Sequence, residues 1–485
     1  MQKLADMSNP PLSPAPLVCD EHTNLLPFLT YCQKEASKQN TSIFSSITFE
    51  INFCDPLAIM EQVYQELDGR CYLEKPTNEF SVACGDPISY ASFNGDQRFQ
   101  EARTWSKKFW DKVYLAGDNQ LGATGPTLFL NATFENESDE MGIPALQVFL
   151  PKWQVLRKGG NHFIILNHPI SPSTNPDELN TEISKFLQIF NRLQYLRPLR
   201  GTPKNLLQGP ALENNDYENA VTKALHAIRS GKISKIVLAR KLTYKIKHEL
   251  PYFSIAHGLK NKFPDCYTFC MTTPDSGMFI GSTPEILSKI SGISLETEAV
   301  AGTAPRGPSA GKDAHLGKTL LGREKEVREH RLVIDSMLRR LKSIGISQCG
   351  EGKSRLLRLA NLQHVRTPIL AKLPENVHPF DALSALHPTP AMGGSPREEA
   401  LPMVRKLERF SRGWYSGIAG WLDSRGRGEF IVPIRCGKFT PNSLSLYAGA
   451  GIVEGSTPSN ERMETDWKLE AMLEVISGGT TLPNE

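Results

Sequence analysis

Residues 449–468 read GAGIVEGSTPSNERMETDWK. The run closes a strand-like stretch, SLSLYAGAGIVEGS, and leads into a helix whose apolar spacing places it at about 459–477. Its glycines can expose backbone N–H groups beside a helix N-terminus, an arrangement that favours an anion. Glu461, Glu464 and Lys468 fall at i, i+3 and i+7, one face of that helix.

Upstream, REKEVREHRLVIDSMLRRL places Glu326 and Glu329 three apart on a second helix, expected at about 317–344. Two helices that each present paired carboxylates can together hold a hard divalent cation. Mg²⁺ suits such a set, since it takes few protein oxygens and keeps room for water and substrate. The same spacing also fits ordinary solvated helix faces. Lys235 opens the strand KIVLAR and Glu285 closes the strand GSTPE. In a closed site such a lysine can act as general base and a carboxylic acid opposite as general acid; a strand-end lysine reaching solvent has the same sequence. Arg435, in the apolar strand IVPIRC, suits bidentate carboxylate recognition, and the Tyr415 hydroxyl can share that carboxylate. His364 and His387 read on their own as structural histidines. No GxxxxGK[ST] or GxGxxG run occurs, which argues against phosphoryl or hydride transfer. The groupings suggest a small carboxylate substrate held through Mg²⁺.

The whole chain agrees with a globular enzyme. It has 485 residues, 22% charged and 40% hydrophobic, and a formal charge of +3. That near-balance points to neither nucleic acid nor a membrane surface. The nine cysteines form no CxxC pair, so a disulfide framework or zinc site is not expected. No signal peptide or spanning segment is legible, and a cytoplasmic location is expected. Residues 1–20 are Pro-rich and read as a flexible tail. From about 42 to 200, strands such as SITFEIN, TLFLNATF and HFIILN alternate with helices such as DELNTEISKFLQIFNRLQYL. The polar stretch at about 200–215 reads as a linker or as a loop within one sheet protein. Strands in runs with helices interspersed give an α+β fold class.

The segments KIVLAR, GSTPEIL, AVAGTAPRG, EKEVREH, LQHV, HPTPAMGG, RGWYSGIAGW, FIVPIRC and GAGIVEGSTPSNERMETDWK resemble, in order over about 235–468, the chorismate-utilising enzymes. The resemblance implies large mixed, mainly antiparallel sheets with surrounding helices. It divides the chain into the tail, a variable half at 21–205 and a chorismate-binding catalytic region at 206–480, the last two sharing one structural domain. It implies Glu329 and Glu464 as direct Mg²⁺ ligands, with Glu326 and Glu461 shaping the metal's surroundings. Arg435 and Tyr415 match the pair that binds the enolpyruvyl carboxylate. Gly302, Thr303, Gly449, Gly451 and Lys468 match positions around the carboxylates, and His364 matches a histidine near the ring. Lys235 matches a water-activating base and Glu285 the acid at the departing C4 hydroxyl.

Within that family three positions imply the chemistry. Ala301 stands where members with a nucleophilic lysine carry it. Lysine at 235, where ammonia users carry glutamine, implies water as nucleophile. Ala391 stands where members that go on to eliminate pyruvate usually have threonine. Together they imply reversible isomerisation of chorismate to isochorismate, feeding quinone, siderophore or salicylate synthesis. The alternatives are salicylate formation with loss of pyruvate, or a non-catalytic chorismate-binding protein. A monomer without a glutamine amidotransferase subunit is implied.

Overall fold

The computed structural model describes residues 19–20, 22–63, 69–139, 142–192, 206–213, 216–247 and 250–477. The first half runs α1 (Leu26–Gln39), β1 (Ile43–Ile51), α2 (Pro56–Val63), β2 (Gly69–Lys75), β3 (Phe80–Phe93), α3 (Arg98–Trp110), β4 (Val113–Ala116), β5 (Thr127–Ala132), β6 (Leu146–Lys158), β7 (Asn161–Ile170) and α4 (Pro176–Arg192). The second half begins β8 (Leu207–Glu213), α5 (Tyr217–Arg229), β9 (Lys235–Ile246), α6 (Tyr252–Lys262), β10 (Tyr267–Thr272), β11 (Met278–Thr283), β12 (Ile286–Ser291), β13 (Ser294–Pro305), α7 (Ala310–Gly322) and α8 (Glu324–Ser343). It ends β14 (Cys349–Glu351), β15 (Arg355–Arg358), β16 (Leu362–Lys372), α9 (Pro379–Leu386), β17 (Gly394–Ser395), α10 (Arg397–Glu408), β18 (Ile418–Asp423), β19 (Gly428–Ile431), β20 (Cys436–Thr440), β21 (Ser443–Ile452) and α11 (Pro458–Ile476). The tail expected at 1–20 lies outside the described residues as far as residue 18. Cys19 is buried and bridges to Phe49.

The fold is mixed α+β with large, mainly antiparallel sheet structure. Long antiparallel pairs such as β3–β6, β9–β21 and β13–β16 dominate, and β1–β4 is parallel. Strands from the two halves pair directly, β18 with β5 and β10 with β2. An inner core formed almost wholly by strand residues, among them Phe129, Phe149, Phe269, Phe279, Trp421 and Tyr447, lies between sheet faces. Two further cores take the helices. One gathers α1, α2, α4, α6 and α11, and the other α3, α5, α8 and α9. Among the described residues no helix is long and apolar enough to cross a membrane.

Four local expectations are corrected. The helix expected at 317–344 is two, because Arg323 adopts an extended ψ of 123° after Gly322 and restarts the helix at Glu324. Pro284 has no N–H to give a ladder, so GSTPEIL splits into β11 and β12 and Glu285 sits in the break. Pro433 likewise ends β19, and Arg435 lies between β19 and β20 with φ 51°, not within a strand. Tyr415 lies in the turn before β18 rather than in a strand, its N–H bonded to the Arg412 carbonyl at 3.0 Å. In the stretch at 200–215, residues 207–213 form β8, paired to the far end of β9.

Candidate active site

The strand breaks, β9, β13, β21 and α11 converge on a cavity of about 70 Å³. Lys235, Glu285, Gly302, Thr303, Glu329, His364, Ala391, Tyr415, Arg435, Gly449, Gly451, Glu464 and Lys468 all line it. Glu326 and Glu461 stand behind that wall. β9 explains the lysine. It pairs with β21 on one edge, putting Val237 opposite Gly451 and Ala239 opposite Gly449. Alternation then turns Lys235 and Val237 to the same face, towards the cavity.

Lys235 is 1% exposed, and its Nζ meets Glu329 Oε1 at 2.8 Å. The partner strand must carry glycine there. A Cβ on Gly451 would lie 2.3 Å from Glu329 Oε1 and 3.1 Å from Lys235 Cε. Lys468 reaches back one helical turn to Glu464 at 2.6 Å and donates to the Gly449 carbonyl at 2.7 Å. The Thr303 hydroxyl donates to the same Glu464 oxygen at 3.0 Å. Burial opposes ionisation of Glu464, but Lys468 holds its carboxyl below the usual range. Lys325, which the sequence reading did not single out, pairs with Glu461 at 2.9 Å and stands 4.0 Å from Glu326.

The carboxylates crowd one another. Burial first, then Glu329, pushes Glu326 up to about 7, and burial and Glu464 raise Glu461. Gly302, with φ 75°, makes room for this group, since a Cβ there would lie 2.9 Å from Glu326 Oε2. Among the described residues no three His, Cys, Asp or Glu side chains converge closely enough to cage a metal by themselves. A set of hard carboxylate oxygens, two of them on the cavity wall and mutually repelling, fits a cation that takes one or two protein carboxylates and completes its shell with water and substrate.

Also lining the cavity, Arg435 Nη2 donates to His364 Nε2 at 3.0 Å, and His364 Nδ1 meets the Gly302 carbonyl at 3.1 Å. A guanidinium only donates and a carbonyl only accepts, so the imidazole carries its proton on Nδ1. Burial, then the Arg435 and Lys468 charges, lowers His364 to about 3, so it stays neutral. Glu285 is 4% exposed, and burial followed by the neighbouring Glu298 carboxylate pushes it up to about 8. It therefore carries a proton at neutral pH. The remaining candidate, His387, is a structural residue: its Nε2 bonds the Thr133 carbonyl at 3.1 Å, away from the cavity.

The sequence profile of the chorismate binding enzymes matches residues 30–477, well beyond the segments that carry the motifs. The chain belongs to that family. It is 31% identical over 455 residues to a salicylate biosynthesis isochorismate synthase of Pseudomonas aeruginosa, covering 91% of this chain and 92% of that protein. It is 28% identical over 459 residues to the isochorismate synthase MenF of Bacillus subtilis, covering 92% and 96%. In fold it matches MenF, the menaquinone-specific isochorismate synthase from Escherichia coli, with a TM-score of 0.75 at 23% identity, covering 92% of this chain and 99% of that one. In this chorismate binding enzyme the motifs read from the sequence come together on the walls of one cavity.

Two functional features escaped the sequence reading. One is the Lys235–Glu329 ion pair, which joins a candidate base to a candidate metal ligand. The other is the fully buried pair of Glu408 and Arg412 beneath the cavity. Spacing alone gives a signal for the second, since the two residues stand four apart.

Proposed function

We propose that the protein interconverts chorismate and isochorismate, adding water at C2 and expelling the C4 hydroxyl. The observation that carries this reading is a pair of groups on one cavity: a fully buried lysine, Lys235, and a carboxyl that holds its proton at neutral pH, Glu285. Ala301 supports it, since that position carries no amine for covalent attack.

In this reading Arg435 and Tyr415 bind the enolpyruvyl carboxylate, and neutral His364 holds the guanidinium in position. Lys235, as the neutral amine, takes a proton from water as the oxygen adds at C2. The double bonds shift, and Glu285 delivers its proton to the departing C4 oxygen. Reactant and product are isomers of similar bonding, so the residues serve both directions, with base and acid exchanging roles. Glu329 and Glu464 would hold Mg²⁺, with Glu326 and Glu461 behind them. The metal would neutralise the ring carboxylate and draw electron density from the diene. Water as nucleophile needs no ammonia supply, which supports a chain that works without an amidotransferase subunit. Nine free cysteines, eight of them buried, support a reducing, cytoplasmic location. The product would feed quinone, siderophore or salicylate synthesis.

Replacing Lys235 by Ala tests the assignment. Turnover should fall roughly 10²–10⁴-fold while chorismate still binds by calorimetry. Normal turnover in that variant would remove Lys235 from the mechanism.

A further inference from the structure

Among the described residues Arg412 is the largest charged side chain fully withdrawn from solvent, and none of the chemistry above uses it. α10 ends at Glu408, and Arg409, with φ 60°, turns the chain so that Arg412 returns against that last helical residue. The two form a bidentate pair, Arg412 Nε to Glu408 Oε2 at 2.9 Å and Nη2 to Oε1 at 2.5 Å. The same guanidinium donates from Nη2 to the Val237 carbonyl and from Nη1 to the Met392 carbonyl, each at 2.9 Å. Glu408 Oε1 also accepts the Ala239 N–H at 2.7 Å.

These bonds complete a ladder. On the edge of β9 away from β21, β17 pairs Ser395 with Lys235 and Gly394 with Ile236, and Val237 N–H reaches the Gly393 carbonyl at 3.2 Å. There the neighbouring backbone turns away. The next acceptor and donor of β9, the Val237 carbonyl and the Ala239 N–H, are met by the guanidinium and the carboxylate instead. The ion pair thus stands in for the missing strand. It also ties three cavity walls together: β9 with Lys235 and Val237, the turn with Ala391 and Met392, and Tyr415, whose ring centroid lies 5.8 Å from the guanidinium.

We propose that Arg412, paired with Glu408, is a positioning residue that sets the distance between the base-bearing strand, the Ala391–Met392 wall and Tyr415. The planar fork is what the role requires. A lysine in its place has one nitrogen and cannot meet Glu408, Val237 and Met392 along their separate directions. The consequence for turnover rests on the chorismate–isochorismate reading; the consequence for the backbone does not.

The test is Arg412→Lys, with Glu408→Gln/Arg412→Met as a second variant that removes both charges together and so leaves no buried charge unpaired. Steady-state kinetics with chorismate and amide hydrogen exchange are read side by side. Misplacement of reacting groups by about 1 Å costs on the order of 10²-fold. Both variants should therefore lose about that much in kcat while KM moves less than about threefold. Exchange should quicken at residues 235–239 and 388–394 and stay unchanged in α8. Wild-type kcat in either folded variant, or unaltered exchange in both segments, would overturn the proposal. If the wild-type chain itself leaves chorismate unchanged, the functional reading fails, and the exchange comparison still decides whether Arg412 sets these walls.

Discussion

Glu285→Gln isolates the proton that the account assigns to the departing oxygen. The amide keeps the shape of the carboxyl and cannot deliver a proton. Loss of a general acid costs roughly 10²–10⁴-fold, so kcat should fall by that factor while chorismate affinity holds. The pH profile is the sharper readout. Glu285 is raised from 4.5 to about 8 by burial and then by Glu298. About nine-tenths of it is protonated at pH 7 and about one-tenth at pH 9. Forward turnover should therefore lose about tenfold per pH unit above 8, a limb the Gln variant lacks. Stability supplies an independent check. Because the folded-state value lies above the unfolded one, the native protein binds the extra proton between about pH 4.5 and 8. Its contribution to stability is full below about 4.5 and is lost as pH rises through 8. At about 1.4 kcal/mol per pH unit, the whole span amounts to roughly 5 kcal/mol. Gln escapes this loss, so its thermal midpoint relative to wild type should rise from pH 5 to pH 9. The assay pairs initial rates by chromatography with thermal melts over that range. Wild-type turnover with an unchanged alkaline limb, or a midpoint difference flat with pH, would refute the assignment of the proton to Glu285.

Two substitutions probe the walls around it. Gly451→Ala puts a methyl 2.3 Å from Glu329 Oε1 and against Lys235 Cε; it should lower kcat/KM by about 10²-fold with α11 intact by circular dichroism, and unchanged kinetics would mean that the ion pair is dispensable. Ala391→Thr adds a hydroxyl at the position where pyruvate-eliminating relatives usually carry one. It should release detectable pyruvate from chorismate in a lactate dehydrogenase-coupled assay, and none above the wild-type level would show that Ala391 does not choose between the two outcomes.

Much of the site was legible because its residues sit in short motifs whose order along the chain is distinctive. Helical spacing placed Glu461, Glu464 and Lys468 on one face, and the structure keeps them on α11. Strand spacing left Lys235 open between cavity and solvent, and only the pairing of β9 with β21 shows it turned inward. Other features depend on partners far away in sequence. Nothing local to KIVLAR announces Glu329 as the lysine's partner, since their meeting needs α8 to pack on β13 and bring the Glu329 carboxylate up to Gly451 of β21. The proline-induced breaks at Pro284 and Pro433 were visible as residues but not as consequences, yet they free Glu285 and Arg435 from the ladder and aim both into the cavity. The split of α7 from α8 had only Gly322 as a local signal. Glu408 and Arg412 were not singled out in the sequence, and only their burial against β9 reveals a side-chain substitute for a strand.

The near-neutral charge of +3 conceals a charge-paired interior: Glu329, Glu461 and Glu464 meet Lys235, Lys325 and Lys468, while Arg435 bonds neutral His364. In the proposed function a dianion is bound between a cation and the Arg435 guanidinium. Its most direct test is chromatographic product analysis after incubating the purified protein with chorismate, with and without Mg²⁺. The account predicts a chorismate–isochorismate mixture of the same composition from either starting compound, formed only with Mg²⁺ and free of pyruvate. Salicylate with stoichiometric pyruvate, or unchanged chorismate in the presence of Mg²⁺, would contradict it.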